Sequence, residues 1–107
     1  MEQLRTSLLK QATAALRNIY GARLAKIMLY GSYARNEQTP ESDIDLLVVL
    51  KDQKVDSGAE IRAINKFLYP LGLEYNVLIS AHPISKERLE TGKSFFLNRV
   101  RKEGIEL

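Results

Sequence analysis

The chain of 107 residues contains no cysteine, which excludes a disulfide framework and a thiolate nucleophile. It has one histidine, His82, placed before Pro83 in what reads as a loop and assigned no role. No apolar run approaches the roughly 20 residues that span a bilayer, and no signal-like segment is present, so an intracellular, cytoplasmic protein without a membrane partner is expected. Neither sign of charge dominates: 16 basic residues stand against 13 acidic ones, a net of +3. That balance reads as ordinary solvated surface, densest over Lys86 to Lys102, and direct binding of nucleic acid is not expected. Repeats, linkers and low-complexity segments are also missing. The length predicts one domain over residues 1–107, without room for a separate substrate or lid domain.

What is present is one organised stretch, Leu24 to Leu50. An apolar strand over Leu24–Tyr30 ends on Gly31, where the lack of a Cβ permits a sharp turn and close approach to a ligand. Ser32 then caps a short helix to Asn36, whose free N–H groups and serine hydroxyl would face one anion. A polar loop, Glu37 to Ser42, returns the chain to Asp43-Ile44-Asp45. The next five residues, Leu46 to Leu50, are all apolar, as in a strand covered on both faces. Strand alternation sends Asp43 and Asp45 to the same face, with Cβ atoms about 7 Å apart. Two ionised carboxylates at the mouth of a buried strand are unfavourable unless water, donors or a metal compensate. Their hard oxygens suit Mg²⁺.

The flanking segments read as support. Glu2 to Tyr20 is an amphipathic helix with Leu4, Leu8, Ala12, Ala15, Leu16 and Ile19 on its apolar stripe and Gly21 as its stop. Ser57-Gly58-Ala59-Glu60 has the form of a capping box, opening a helix that runs to Pro70. Leu73 to Ile79 alternates as a third strand, with Glu74 and Asn76 on the polar face. Ser85 starts a short helix that Gly92 ends, and Ser94 caps a last one with Phe96, Leu97 and Val100 inward. A short strand at Gly104 to Leu107 completes the pattern. The predicted class is α+β, close to α/β: a small mixed sheet of three main strands flanked by four or five helices.

The spacing of Gly31-Ser32, ten residues, then Asp43-x-Asp45 resembles the signature of the polymerase-β-like nucleotidyltransferase superfamily. The short chain is similar to its minimal members, the MNT domains. The resemblance implies that Gly31 and Ser32 hold a nucleoside triphosphate, with Arg35 one turn on reaching the triphosphate or a nearby acid. It implies that Asp43 and Asp45 bind two Mg²⁺ ions, and that a third acid on the third strand completes the metal site and accepts a proton. Here that strand offers Glu74 or the neutral Asn76, and Glu74 is taken as the catalytic and metal-binding residue. The implied activity moves a nucleoside monophosphate, AMP from ATP, to a hydroxyl such as a tyrosine on a HEPN-type helical toxin, with the chain acting as antitoxin. A second copy of the chain is a further partner the resemblance allows. From another class, a nucleotide-binding module that neutralises its partner by stoichiometric contact is the alternative, favoured if Asn76 replaces the acid.

Overall fold

In the computed structural model, residues 2–35, 37 and 43–107 are described, with side chains from residue 6 onward. The expected polar loop at residues 38–42 and the helix end at Asn36 lie outside them. Helix α1, Glu2–Tyr20, leads through a single 3-10 turn, Gly21–Arg23, into strand β1, Leu24–Tyr30. Strand β2, Ile44–Leu50, is followed by helix α2, Ser57–Tyr75, and strand β3, Ile79–Ser85. Helices α3, Lys86–Thr91, and α4, Phe95–Glu103, precede the two-residue strand β4, Ile105–Glu106. The sheet order is β3-β2-β1-β4, with β2 parallel to β3 and the other two pairings antiparallel. A parallel neighbour requires a crossover connection, and α2 supplies it.

Alternation along the strands builds two cores. Ile27 and Leu29 of β1, Ile44, Leu46, Val48 and Leu50 of β2, and Ile79 and Ala81 of β3 face Leu8, Ala12 and Leu16 of α1 and Ile64 and Leu68 of α2. On the opposite face, Met28, Leu47, Val49 and Ile84 meet Leu89, Leu97 and Val100 of α3 and α4. Helices on both faces explain why Leu46 to Leu50 is apolar at every position: all five side chains are 0–1% exposed. The far end of β2 is pinned by Arg23. Its guanidinium lies 3.0 Å from Asp52 and 2.6 Å from Glu60 at the start of α2, and Tyr20 donates to Glu60 at 3.3 Å.

Two sequence expectations change. The first turn of α2 is capped by Asp56, which accepts from the Ala59 N–H at 3.2 Å, one residue ahead of the expected capping box. More consequentially, α2 does not stop at Pro70 but continues to Tyr75. Pro70 is exposed, and its cost to the helix, about 3 kcal/mol, is opposed by packing on both sides of it: Leu68 and Gly72 are buried, and Tyr75 accepts from Gln11 Nε2 at 2.6 Å. Gly72 is required by contact, since a Cβ there would stand 2.5 Å from the Val77 carbonyl oxygen. The actual stop is Asn76, at φ +56°. Its N–H donates to the Leu73 carbonyl at 3.2 Å, and the Val77 N–H donates to the Gly72 carbonyl at 2.9 Å, the paired bonds of a Schellman motif. The third strand therefore begins at Ile79 rather than Leu73.

A side chain in the left-handed region is strained unless it is glycine or bonds locally. Asn76→Gly is expected to preserve or raise stability, by up to about 1 kcal/mol, and Asn76→Ala to lower it by about 1 kcal/mol. Urea unfolding measures both; equal losses in the two variants would contradict a C-cap role.

Candidate active site

The acid pair and the glycine turn meet where β1 ends and β2 begins, because the strands are antiparallel and Tyr30 pairs with Asp45. Chain reversal starts at Gly31, whose φ of +75° lies in the left-handed region. Space demands glycine as well: a Cβ here would stand 2.6 Å from Asp45 Oδ2. The backbone of the turn thus packs directly against the Asp45 carboxylate, an approach that only a residue without a side chain permits. The predicted helix after Gly31 is instead a tight turn through Arg35. It is closed by the Arg35 N–H on the Gly31 carbonyl at 3.2 Å and the Glu37 N–H on the Ser32 carbonyl at 2.9 Å. Ser32 follows Gly31 in this turn, half-buried. Among the described residues no helix directly follows Gly31, so the groups described here that could meet an anion belong to the turn itself.

Asp43 is exposed just ahead of β2, and Asp45 is half-buried. Burial pushes the Asp45 carboxyl above the ordinary carboxylate range, the charge of Asp43 pushes it further, and His82 acts in the opposite direction. No hydrogen bond to the Asp45 carboxylate offsets this among the described residues. The pair is short of positive charge. Its oxygens fit a divalent cation such as Mg²⁺, which takes one or two carboxylates and completes its shell with water and substrate phosphate.

The third acid expected from the sequence is not on the neighbouring strand. Glu74 lies exposed in the last turn of α2, and Asn76 is the residue that ends that helix. Strand β3 reads ISAHPIS and carries no carboxylate. Among the described residues, no group of three or more His, Cys, Asp or Glu side chains is placed to hold a metal. Ser80 pairs with Asp45, and His82 with Leu47, so these two occupy the face where the acid was expected.

Two residues that sequence reasoning set aside, Tyr30 and His82, lie near enough to act on the Asp45 charge, and Phe96 packs on the first of them. Tyr30 is half-buried, and its hydroxyl is pushed up to about 12, first by burial and then by the Asp45 charge, so it stays protonated at neutral pH. Its ring lies 6.5 Å from that of His82 and meets Phe96 edge-on at 5.3 Å. Phe96, expected inward, remains 47% exposed. A cavity of about 550 Å³ lies along this face, lined by Tyr30, Leu47, His82, Arg88 and Phe96 among others. The signal for His82 was available: Ile79, Ala81 and Pro83 alternate with Ser80 and His82, a half-buried strand pattern that the alternation of the preceding segment masked.

Arg35 reaches acids, with Nε 3.3 Å from Glu37 Oε2 and Nη1 3.8 Å from Glu103 Oε2. Within the basic segment, Arg101 is committed to structure: it donates to the Leu89 and Gly92 carbonyls and so closes the end of α3.

Comparison with known proteins bears on the family and the fold. The family model described as "Nucleotidyltransferase domain" matches residues 9–105. Among curated relatives, "Putative protein adenylyltransferase MJ0604" of Methanocaldococcus jannaschii is 33% identical over 96 residues, covering 90% of each chain. "Putative protein adenylyltransferase MJ0141" of the same organism is 31% identical over 100 residues, 94% of this chain and 95% of that one. Among solved structures, the fold matches a chain of a toxin–antitoxin complex crystallised with AMP-PNP at a TM-score of 0.60. Identity there is 19%, over 89% of this chain and 68% of that one. A variant of the toxin–antitoxin pair MntA–HpeT matches at a TM-score of 0.57 with 17% identity, over 87% and 66%. At such identities the structural likeness is one of fold, and it agrees with the expected mixed sheet flanked by helices. Family model, curated relatives and fold coincide with the minimal-nucleotidyltransferase resemblance of Gly31-Ser32 and Asp43-x-Asp45, and the chain belongs to the nucleotidyltransferase domain family.

Proposed function

We propose that the chain transfers AMP from ATP to a hydroxyl on a partner protein, a tyrosine of a HEPN-type helical toxin, and thereby acts as an antitoxin. The observation that carries the reading is the close approach of the Gly31 backbone to the Asp45 carboxylate, beside Asp43: it brings the glycine turn and two carboxylates to one place. Family membership, relatives named as adenylyltransferases and a neighbouring structure crystallised with AMP-PNP support the choice of nucleotide. Gly31 and Ser32 seat the triphosphate, and Asp43 and Asp45 hold two Mg²⁺ ions. Bound there, the metal supplies neutralisation of the leaving pyrophosphate and a lowered pKa for the attacking hydroxyl. The acceptor oxygen bonds to the α-phosphorus as the bond from that phosphorus to the β-phosphate oxygen breaks. Pyrophosphate leaves with that electron pair, and the hydroxyl proton passes to solvent. The protein's part is positioning and charge placement, with no covalent intermediate. Glu74, on α2, takes no part.

The second reading is a module that binds nucleotide weakly or without turnover and neutralises its partner stoichiometrically. The lack of a carboxylate on β3 favours it. Incubating the chain with Mg²⁺, ATP and the product of the adjacent gene separates the two by intact mass. The transfer reading expects an added AMP on the partner, lost in Asp43→Ala and Asp45→Ala and kept in Glu74→Ala. Neutralisation without added mass, surviving both aspartate changes, would establish the binder instead.

The acid pair also has a stability signature. The folded state binds the Asp45 proton more tightly than the unfolded chain does, so the contribution of this group to stability falls as pH rises through the carboxylate range and stays lost at neutral pH. Asp45→Asn is expected to melt above the wild type at pH 7 without metal, because the substitution removes the charge that burial and Asp43 disfavour. The gap should close below the ordinary carboxylate pKa of about 3.9. Mg²⁺ with ATP should stabilise only the wild type. Scanning calorimetry across pH reads this, and a variant that melts no higher at neutral pH refutes the electrostatic cost.

A further inference from the structure

A second cavity, of about 190 Å³, adjoins the Gly31 turn on the side away from β3 and is lined by Tyr30, Gly31, Arg35, Phe96, Arg99 and Glu103, with Val100. Arg35 comes from the turn itself; Arg99 and Glu103 come from α4, one helical turn apart. Both guanidinium groups aim at one atom, Glu103 Oε2, with Arg35 Nη1 at 3.8 Å and Arg99 Nη2 at 3.6 Å. These are long contacts between partly exposed groups, worth little in water. A guanidinium carries five donors in a fixed fork; Arg35 also gives its Nε to Glu37 Oε2 at 3.3 Å, and beyond that bond and the shared Glu103 oxygen each fork keeps donors for another acceptor.

Helix stability does not account for Glu103. It is the last residue of α4, where the helix dipole disfavours a negative charge. Its i,i+4 partner Arg99 precedes it, the less favourable order for such a pair. What Glu103 does is hold two like charges together at the edge of the Gly31 turn. A polyphosphate offers several anionic oxygens spaced for bidentate contact and outcompetes one carboxylate for these forks.

We propose that Arg99, together with Arg35, forms an anion subsite beside Gly31 for the terminal phosphates of a bound triphosphate, and that Glu103 is the internal counter-ion those phosphates displace. The inference rests on the reading of Gly31-Ser32 as the seat of the triphosphate. The ligand class is a linear polyphosphate, free or as the tail of a nucleotide. A nucleoside monophosphate, with no β- or γ-phosphate, does not reach the subsite.

Titration calorimetry on the full chain, with Mg²⁺ present throughout, tests this using ATP, AMP and inorganic tripolyphosphate. Arg99→Gln is expected to weaken ATP and tripolyphosphate about tenfold and to leave AMP unchanged. Glu103→Gln is expected to tighten ATP and tripolyphosphate by roughly threefold, again without effect on AMP. Arg99 is largely exposed, and thermal melts verify that both variants fold. Should Arg99→Gln not fold, Glu103→Gln decides alone, and no gain overturns the subsite. A wild type that binds ATP while both variants match it overturns the subsite and leaves the Gly31-Ser32 seat standing. A wild type that binds neither ATP nor tripolyphosphate removes that seat and the subsite with it.

Discussion

The carboxylate of Asp45, held half-buried at the entry of a strand whose next five side chains are almost wholly inaccessible, is the constraint around which the rest is arranged. The strand cannot shift to expose it. A slip of one residue would turn Leu46 and Val48 out of the larger core and carry the acids to the wrong face. Antiparallel pairing with β1 then delivers the Gly31 turn against the same carboxylate, and the contact leaves no room for a side chain on the turn. The cost of the acid pair is thus fixed by the core, and a cation is the natural relief.

The two faces of the sheet do different work. One is covered along its length by α1 and α2, and among the described residues no polar or charged side chain is fully buried anywhere in the molecule. The other face changes character along β2: Val49 and Leu47 are covered by α3 and α4, whereas Asp45 is half-buried and Asp43 exposed among the described residues. The site begins where the covering helices end. Tyr30, His82 and Phe96 stand at that boundary, and Arg23 with Asp52 and Glu60 anchors the opposite end of β2, so the open end is held by a fixed one.

Much of this was written in the sequence. Leu24 to Tyr30, Ile44 to Leu50 and the serine-capped helices at Ser85 and Ser94 announce themselves through period, apolar runs and local hydrogen-bonding chemistry, which depend on near neighbours alone. The segment from Pro70 to Ser85 does not. Residues 73–79 alternate like a strand, and proline is a strong break signal; only the burial of Leu68 and Gly72 and the distant contact of Tyr75 with α1 show that the helix continues. Placing β3 six residues early put Glu74 and Asn76 on a strand where the structure has the end of α2, and concealed Ser80 and His82. The acid pair and the glycine were legible because each marks a strand end. The residues around them come from other elements, and their approach follows from tertiary packing.

A site with two carboxylates and no acid on β3 must find its remaining ligands and its charge balance elsewhere. If the site binds as proposed, water and substrate phosphates would supply the remaining metal ligands, so metal and nucleotide would bind as one unit rather than in sequence, the triphosphate restoring what a pair without a third carboxylate omits. Positive charge from the protein then matters most at the far end of the phosphate chain, beyond the reach of the aspartates. Arg35 and Arg99 stand on that side of Gly31, already drawn together by Glu103. On the proposed reading, the absence of one acid and the arginine pair beside Gly31 are two parts of one electrostatic arrangement, in which the nucleotide would complete the site it enters.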